Sequence, residues 1–291
     1  MPIQRLSPLT PAGQQRTAIM GIVNVTEDSF SDGGRWLDVD KAVGHARELV
    51  AAGADIIDVG GESTRPGAQR VEADLERQRI VPVIQALHAE GIYTSIDTMR
   101  ASVAQAAAEA GVDLINDVSG GLADPQMYDV MADTGLPVCL MHWRTSKFGD
   151  AAGAADHGGD VVADVRRTLD GLADKAMAAG VKSDRIIFDP GLGFAKTPQD
   201  NWALLSALPS LINSGYPVLV GASRKRFLAA IRCDRHQEAG PELADPATAA
   251  VTALSAAHGA WAVRVHEVAS SRDAVDVAAA WKSGIDYQGV D

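Results

Sequence analysis

Short runs of branched apolar residues alternate along the chain with longer segments in which apolar residues recur at helical spacing. This alternation is typical of repeated βα units around a parallel sheet. Strands are predicted at residues 18–24, 55–61, 94–98, 114–119, 137–143, 185–191, 217–223 and 262–268. Helices are predicted at residues 39–52, 73–89, 101–110, 125–133, 160–179, 199–214, 224–232, 246–258 and 269–282. About eight βα units in one chain indicate an α/β fold of the TIM (β/α)8 barrel class.

The pattern favours a single domain over residues 1–291, with its core at about residues 18–282, because no interdomain linker interrupts it. Residues 26–38 are polar and rich in glycine, which predicts an active-site loop. Residues 144–159 are rich in alanine and glycine, so surface decoration is favoured there over a functional role. The acidic residues 238–245 are expected to form an exposed insertion, and residues 287–291 a loose tail.

Composition and charge exclude several kinds of binding partner and several kinds of cysteine site. The formal net charge of -12 argues against general binding to nucleic acid or to an anionic membrane. The two cysteines, Cys139 and Cys233, support neither a disulfide framework nor a thiolate metal cage. No apolar run approaches about 18 residues, and the N-terminus lacks the apolar region of an export signal. We therefore expect a cytoplasmic protein that acts on small molecules.

Polar side chains gather where the predicted strands end. In a TIM barrel these ends converge on the face that carries the active site. A single Asp or His at such a place is better explained as a helix cap, a turn residue or a satisfied core residue. Buried charges lower stability unless they are paired. The occurrence of many polar residues together at the strand ends, and not any one of them alone, therefore favours a functional site. The strand ends supply Asn24, Asp58, Asp97, Asn116, Asp117, His142, Asp189, Ser223, Arg224, Lys225, Arg264 and His266.

Two stretches are predicted to bind anions. Residues 221–227 place three cations beside a helix start, whose backbone N–H groups also favour negative charge. A solvated basic turn is the less favoured explanation, because cations in a first helical turn oppose the helix dipole. Arg264 and His266 alternate with valines, so both are expected to point to one side of their strand. Neither His142 nor His266 has a second ligand at a zinc-binding spacing.

Several longer strings resemble the dihydropteroate synthase family. Residues 21–34, GIVNVTEDSFSDGG, resemble its first signature, and residues 53–67, GADIIDVGGESTRPG, resemble its second. Further matches occur in family order at residues 95–98, 116–121, 189–194, 223–225 and 264–266. The resemblance extends from about residue 18 to 282. It implies an enzyme of folate biosynthesis that joins p-aminobenzoate to 6-hydroxymethyl-7,8-dihydropterin diphosphate and releases pyrophosphate.

The same resemblance implies which residues bind each substrate. The pterin pocket would be formed by Asp97, Asn116, Met141, Asp189, Phe194, Gly221 and Lys225. The diphosphate would lie near Asn24, Arg264 and His266, with Asn24 as a ligand of the cofactor Mg²⁺. p-Aminobenzoate would lie among Phe30, Thr64, Pro66 and Ser223. Position 226 varies in the family, and Arg226 of this chain would be an additional cation for the p-aminobenzoate carboxylate. Asp97, Lys225 and Asn24 are the expected catalytic residues.

The resemblance also implies an SN1-like order, in which pyrophosphate leaves before the arylamine attacks. Asp97 would stabilise the pterin cation, and loops 25–34 and 60–67 would close to exclude water. A homodimer built through C-terminal helices and inhibition by sulfonamides are expected as well. Two alternatives stay open: a pterin-dependent methyltransferase, and a catalytically inactive paralogue that binds pterins. The two signature loops argue against the first, and retention of Asp97, Lys225 and Arg264 argues against the second.

Overall fold

A computed structural model describes residues 16–26, 35–62, 71–144, 155–233 and 241–284. Its strands are β1 Ala18–Asn24, β2 Ile56–Gly60, β3 Thr94–Asp97, β4 Leu114–Asp117, β5 Val138–Met141, β6 Ile186–Asp189, β7 Leu219–Val220 and β8 Ala262–Val265. Its α-helices are α1 Arg35–Ala51, α2 Ala73–Ala89, α3 Ala101–Glu109, α4 Met127–Thr134, α5 Val161–Ala179, α6 Pro198–Ser206, α7 Leu208–Ile212, α8 Arg226–Cys233, α9 Asp245–His258 and α10 Ala269–Ser283. Strands and helices thus alternate as the sequence predicts.

The strands form one parallel sheet that closes on itself. Their order is β6-β5-β4-β3-β2-β1-β8-β7. An isolated parallel bridge between Phe188 and Val218 links β6 to the segment before β7, which joins the two ends of the sheet. Helices surround the sheet, and no helix within the described ranges is long and apolar enough to cross a membrane. The predicted TIM-barrel class is confirmed.

The barrel interior changes from apolar to polar along the strands. Alternate strand residues point into the barrel, so positions two apart share its interior. A lower layer is apolar and almost completely buried, and comprises Ala18, Met20, Ile56, Leu114, Cys139, Ile187, Leu219, Trp261 and Ala262. Two residues further along four of these strands stand Asp58, Asn116, Asp189 and Arg264. The apolar layer therefore supports a polar layer at the C-terminal ends of the strands.

The opposite faces of the strands pack on the helices. Ile19 and Val23 of β1, with Ile57 and Val59 of β2, belong to a large apolar cluster that also takes in the inner faces of the helices. Burying a side chain of this size contributes about 1.5–3 kcal/mol. This outer cluster holds the strands in register and so fixes where the polar layer lies.

Three predicted elements differ from the structure in ways that have a physical reason or affect the site. The helix predicted at residues 199–214 is divided into α6 and α7, which meet at Ala207. Pro209 lies in the first turn of α7, where its missing N–H breaks no helical hydrogen bond. Strand β7 has two residues instead of the predicted seven. Helix α1 begins at Arg35, inside the predicted loop 26–38.

The two predicted surface segments also differ from expectation where they are described. His157, in the segment 144–159, is only 8% exposed and contacts Asp164 of α5. Residues Pro241–Ala244 form a 3-10 helix in which Ala244 is fully buried. Asp245, at the start of α9, is paired with Arg224. Both segments therefore contribute buried or paired residues, so surface decoration is not their only role.

Candidate active site

Arg264 of β8 lies between two carboxylates in the polar layer. Its Nε donates to Asp58 Oδ2 at 2.6 Å, and its Nη2 donates to Asp97 Oδ2 at 2.8 Å. Asn116 Nδ2 donates to Asp58 Oδ2 at 3.3 Å. Asp58 is completely buried, and an ionised group in such a place is stable only when it is paired. One hydrogen-bonded group of side chains thus connects the ends of strands β2, β3, β4 and β8.

Asp97 keeps one free acceptor in this group. Its Oδ1 is buried and has no hydrogen-bond partner among the described residues. Burial raises the pKa of Asp97 to about 7, because the charged form loses water, while the Arg264 guanidinium opposes that rise. A buried carboxylate oxygen without a partner is costly to keep, so Asp97 is suited to accept a donor from a ligand.

Lys225 occupies the other side of the polar layer. Its Nζ donates to the Leu192 carbonyl and lies 4.6 Å from the centroid of the Phe194 ring. Burial lowers the pKa of Lys225 to about 8, and the nearby Asp189 carboxylate opposes that fall. Burial likewise raises the pKa of Asp189. A cation, a carboxylate and an aromatic face therefore lie side by side.

Gly221 leaves space beside this pair. A Cβ at this position would lie 3.5 Å from Asp189 Oδ2 and 3.9 Å from Lys225 Nζ. Met141 of β5 is 2% exposed, and the apolar cluster to which it belongs packs against Phe194. The arrangement provides apolar walls with a few charged groups at one edge, as small-molecule pockets commonly do.

The remaining predicted site residues at the strand ends are Asn24, Ser223 and His266. The Asn24 Oδ1 atom lies 3.7 Å from the position of a Cβ on Gly60, and the Asp97 Cβ lies at the same distance from it. Asn24 is therefore adjacent to Asp97 across a residue without a side chain. Ser223 Oγ lies 3.0 Å from His266 Nδ1, and the His266 amide donates to Ser223 Oγ at 3.1 Å.

The three cations of residues 221–227 do not form the single anion site that the sequence predicts. Arg224 adopts a positive φ of 57° and donates two hydrogen bonds of 2.8 Å to Asp245. Lys225 is directed towards Leu192 and Phe194, and Arg226 is exposed at the start of α8. The three side chains separate because each meets a different neighbour, which the sequence spacing alone does not reveal.

Some predicted site residues cannot be placed. Phe30, Thr64 and Pro66 lie outside the described residues, as does most of the two predicted loops 25–34 and 60–67. Asp117, grouped with the strand-end residues from the sequence, accepts from the backbone N–H groups of Ser119 and Gly121. That residue shapes a turn, which is the more ordinary role of such an aspartate.

Two charged residues of the site receive no role from the sequence. The sequence marks Asp58 as a strand end, but the family resemblance assigns it no role; its place two residues after Ile56, in a row that faces into the barrel, is the signal that indicates one. Lys196 is absent from the residues that the sequence predicts for the site. It is 8% exposed, and its Nζ lies 3.0 Å from His142 Nδ1. Nothing in the sequence pattern indicates that contact, because it depends on how the loop after β6 folds.

Comparison with known proteins agrees with this geometry. A family model described as pterin binding enzyme matches residues 20–266. The dihydropteroate synthase of Mycobacterium leprae (strain TN) is 52% identical over 264 residues, which cover 90% of this chain and 93% of that protein.

Solved structures resemble the chain over nearly its whole length. The Xanthomonas albilineans dihydropteroate synthase with 4-aminobenzoic acid gives a TM-score of 0.82 at 42% identity, covering 95% of this chain and 94% of that one. The Yersinia pestis dihydropteroate synthase with a sulfonamide drug complex gives a TM-score of 0.83 at 36% identity, covering 94% and 98%.

The closed parallel barrel and the polar layer at its strand ends are what a barrel enzyme for a small polar ligand requires. The chain belongs to the pterin-binding enzymes and, within them, to the dihydropteroate synthase family. The family and the enzyme class predicted from the sequence are thereby confirmed.

Proposed function

We propose that the chain joins p-aminobenzoate to 6-hydroxymethyl-7,8-dihydropterin diphosphate, giving 7,8-dihydropteroate and pyrophosphate. The observation that carries this proposal is the buried Asp97, which has one oxygen bonded to Arg264 and the other without a partner among the described residues. A carboxylate of this kind can stabilise a cation, and the adjacent guanidinium can stabilise a leaving anion. The relative with bound 4-aminobenzoic acid supports the identity of the second substrate.

The pterin is proposed to bind across the two halves of the polar layer. Asp97, Asn116 and Asp189 offer oxygen acceptors to the amino and ring N–H groups of a pterin, and Lys225 offers a donor to its 4-oxo group. Met141 and Phe194 would pack on the faces of the ring. The absence of a side chain at Gly221 supports this placement, because a Cβ there would occupy the position in ordinary contact with the Asp189 carboxylate, 3.5 Å from its Oδ2.

In the proposed reaction, the bond between the pterin methylene carbon and the diphosphate oxygen breaks, and its electron pair leaves with pyrophosphate. Asp97 stabilises the positive charge that spreads from the methylene carbon into the ring. Arg264 and His266 take up the negative charge of the leaving group. The arylamine nitrogen then forms the new carbon–nitrogen bond and loses a proton, with Ser223 and Arg226 near the p-aminobenzoate carboxylate.

Asn24 is the proposed protein ligand of Mg²⁺. Its amide oxygen stands at the end of β1 beside the side-chain-free Gly60, and Asp97 lies across the same gap. Such a set fits this ion, since Mg²⁺ is commonly held by one or two protein oxygens together with substrate phosphates. Bound there, Mg²⁺ would offset negative charge on the diphosphate. Asn24→Leu is expected to weaken Mg²⁺-dependent binding of pyrophosphate, measured by calorimetry with and without Mg²⁺.

The reaction is tested by mixing purified protein with the pterin diphosphate, p-aminobenzoate and Mg²⁺, then measuring pyrophosphate and the mass of the product. Formation of pyrophosphate and dihydropteroate in equal amounts is expected. Pterin binding without turnover would instead indicate an inactive paralogue, and methyl transfer from a methylated pterin would indicate a methyltransferase. A sulfonamide is expected to compete with p-aminobenzoate, as the drug complex of the Yersinia pestis relative suggests.

A homodimer is proposed through the outer faces of α9 and α10. Leu254 is 63% exposed, Val277 is 61% exposed and Trp281 is 88% exposed, which is unusual for large apolar side chains on two packed helices. Trp281→Glu is expected to convert a dimer to a monomer in light scattering. The control is Lys282→Glu, at an exposed neighbouring position, which should stay dimeric. A wild-type monomer would refute the proposal.

A cytoplasmic location is also proposed. Cys139 is a free, completely buried thiol in the barrel interior. An unpaired thiol is typical of a reducing compartment. Cell fractionation tests this, and recovery of the protein outside the cytoplasm would contradict it.

A further inference from the structure

A buried polar cluster lies behind the proposed pterin pocket and takes no part in the chemistry above. It consists of His142 after β5, His157, Asp164 of α5, and Lys196 before α6. Their exposed fractions are 0%, 8%, 1% and 8%, respectively. Four ionisable groups in the interior are costly unless their arrangement satisfies them, so the contacts of the cluster indicate what it does.

Lys196 binds both ends of a tight turn. Its Nζ donates to the Gly191 carbonyl at 2.9 Å and to the Phe194 carbonyl at 3.1 Å. The Phe194 amide in turn donates to the Gly191 carbonyl at 3.1 Å. The third contact of Nζ is His142 Nδ1, at 3.0 Å. One amine therefore fixes the turn to the end of the neighbouring strand.

This turn carries part of the pterin pocket. Phe194 packs on Trp143 with ring centroids 5.2 Å apart, and Lys225 lies over its ring. The Gly191 amide donates to Asp189 Oδ1 at 2.7 Å. Any shift of the turn would therefore move the aromatic wall and release one oxygen of the carboxylate at the same time.

We propose that Lys196 is a positioning residue of the pterin site, which holds Phe194 and Asp189 in place through the turn and is itself oriented by His142. This inference rests on the proposed function, because it concerns binding of the pterin. Lys196 would not touch the substrate, since its three hydrogen bonds all go to the protein.

The chemistry of the amine and the imidazole supports this assignment. Burial lowers the pKa of Lys196 to about 7, with the Lys225 charge adding to the fall. Burial also lowers the pKa of His142 to about 3, so its imidazole stays neutral and carries one N–H. A charged amine would donate to both carbonyls and to His142 Nδ1. A neutral amine would donate to the two carbonyls and accept the Nδ1 hydrogen, so the turn is held in both states.

The imidazole tautomer therefore reports the state of Lys196. With a charged amine, the His142 hydrogen lies on Nε2, which is 3.7 Å from Asp164 Oδ2. With a neutral amine, the hydrogen moves to Nδ1. The other charged groups that face Lys196 are Lys225 before α8, Asp189 at the end of β6, Asp200 of α6 and Asp164 of α5.

A metal ion is the competing occupant of the cluster. His142, His157 and Asp164 offer ligand atoms that lie within 4.8 Å of one another. A metal-bound histidine, however, normally donates its other N–H to a carboxylate or carbonyl, whereas His142 meets an amine here. Asp164 already accepts from Arg144 and from Arg167. The surrounding positive charge favours a protein network over a cation site.

Lys196→Met tests the proposal, because it keeps much of the aliphatic volume and removes all three hydrogen bonds. Binding of the dihydropterin diphosphate is expected to weaken about tenfold or more, measured as a dissociation constant by calorimetry. The control is Lys182→Met, which alters an exposed lysine and should bind as wild type does. Wild-type affinity in folded Lys196→Met would overturn the proposal. Failure of the wild-type protein itself to bind would refute the proposed function instead.

A second pair of variants decides the matter if Lys196→Met does not fold. His142→Asn keeps an oxygen near the place of Nδ1, whereas His142→Leu fills more volume but offers no partner to Lys196. We expect the Asn variant to bind the pterin more tightly than the Leu variant. A role in packing alone predicts the reverse order, and that result would overturn the proposal.

Nitrogen-15 NMR of His142 gives a readout that packing would not change. In the wild-type protein the hydrogen should move from Nε2 to Nδ1 as pH rises through about 7. In His142 spectra of Lys196→Met this change should be absent. A tautomer that ignores both pH and Lys196, or a stoichiometric metal ion in the purified protein, would contradict the assignment.

Discussion

Asp97→Asn should make the protein more stable and less active at the same pH. The folded state raises the pKa of this carboxyl from 3.8 to about 7, chiefly by burial. Between pH 3.8 and about 7, the folded chain therefore keeps a proton that the unfolded chain has released. The free energy of unfolding falls as pH rises through this range. Above pH 7, keeping the buried carboxyl ionised costs about 4 kcal/mol.

Asparagine is neutral at every pH and resembles the protonated carboxyl in shape. The variant should therefore gain stability over wild type as pH increases from 4 to 8, by up to about 4 kcal/mol. Urea denaturation at both pH values measures the gain. Asp129→Asn, the same substitution at an exposed position, is the control.

The same change should lower turnover by a factor of about a hundred or more, because the carboxylate that stabilises the pterin cation is lost. In the wild-type protein, kcat/KM is expected to rise with pH towards about 7 as Asp97 ionises, and to fall above about 8 as Lys225 loses its proton. The rising limb should be missing in the variant. Full turnover, or a variant less stable than wild type at pH 8, would refute the reasoning.

Three other substitutions probe the rest of the site. Arg264→Ala should weaken binding of the diphosphate substrate by about tenfold or more and should also lower stability, because buried Asp58 loses its guanidinium partner; equal substrate affinity in calorimetry would count against the anion site. Gly191→Ala should destabilise the fold by several kcal/mol in urea denaturation, because φ is +68° and the new Cβ would lie 2.0 Å from the His142 carbonyl oxygen. Arg100→Met should cost about 3–5 kcal/mol, because the buried Glu76 loses its charged partner; a loss below 1 kcal/mol would contradict that.

The sequence predicted the barrel well because its strands and helices carry local signals. Helix α2 occupies residues Ala73–Ala89, as predicted, and the apolar strand cores all lie where branched residues cluster. Acidic residues in the first turn of α2 and a histidine in its last turn suit the helix dipole and mark both ends in the sequence. Such signals depend on near neighbours only, so they can be found without the fold.

The pairing inside the site could not be predicted in the same way. Arg264 and Asp58 are 206 residues apart, and they meet only because β8 and β2 flank β1 in the closed sheet. The resemblance identified Arg264 as an anion-binding residue but gave no reason to expect two carboxylate partners. The sequence places Arg224 in the same basic segment as Lys225, but its guanidinium forms a salt bridge with Asp245. Whether a charged side chain is paired depends on residues that are distant in the sequence. The topology of the fold determines which of those residues lie beside it.

The position of the pterin tests the central claim most directly. A crystal structure of the protein with a dihydropterin diphosphate analogue should show Asp97 Oδ1, Asn116, Asp189 and Lys225 in contact with the ring, and Phe194 packed on one face. Arg264 should then contact the diphosphate. A pterin bound elsewhere, with Asp97 Oδ1 still without a partner, would contradict the account.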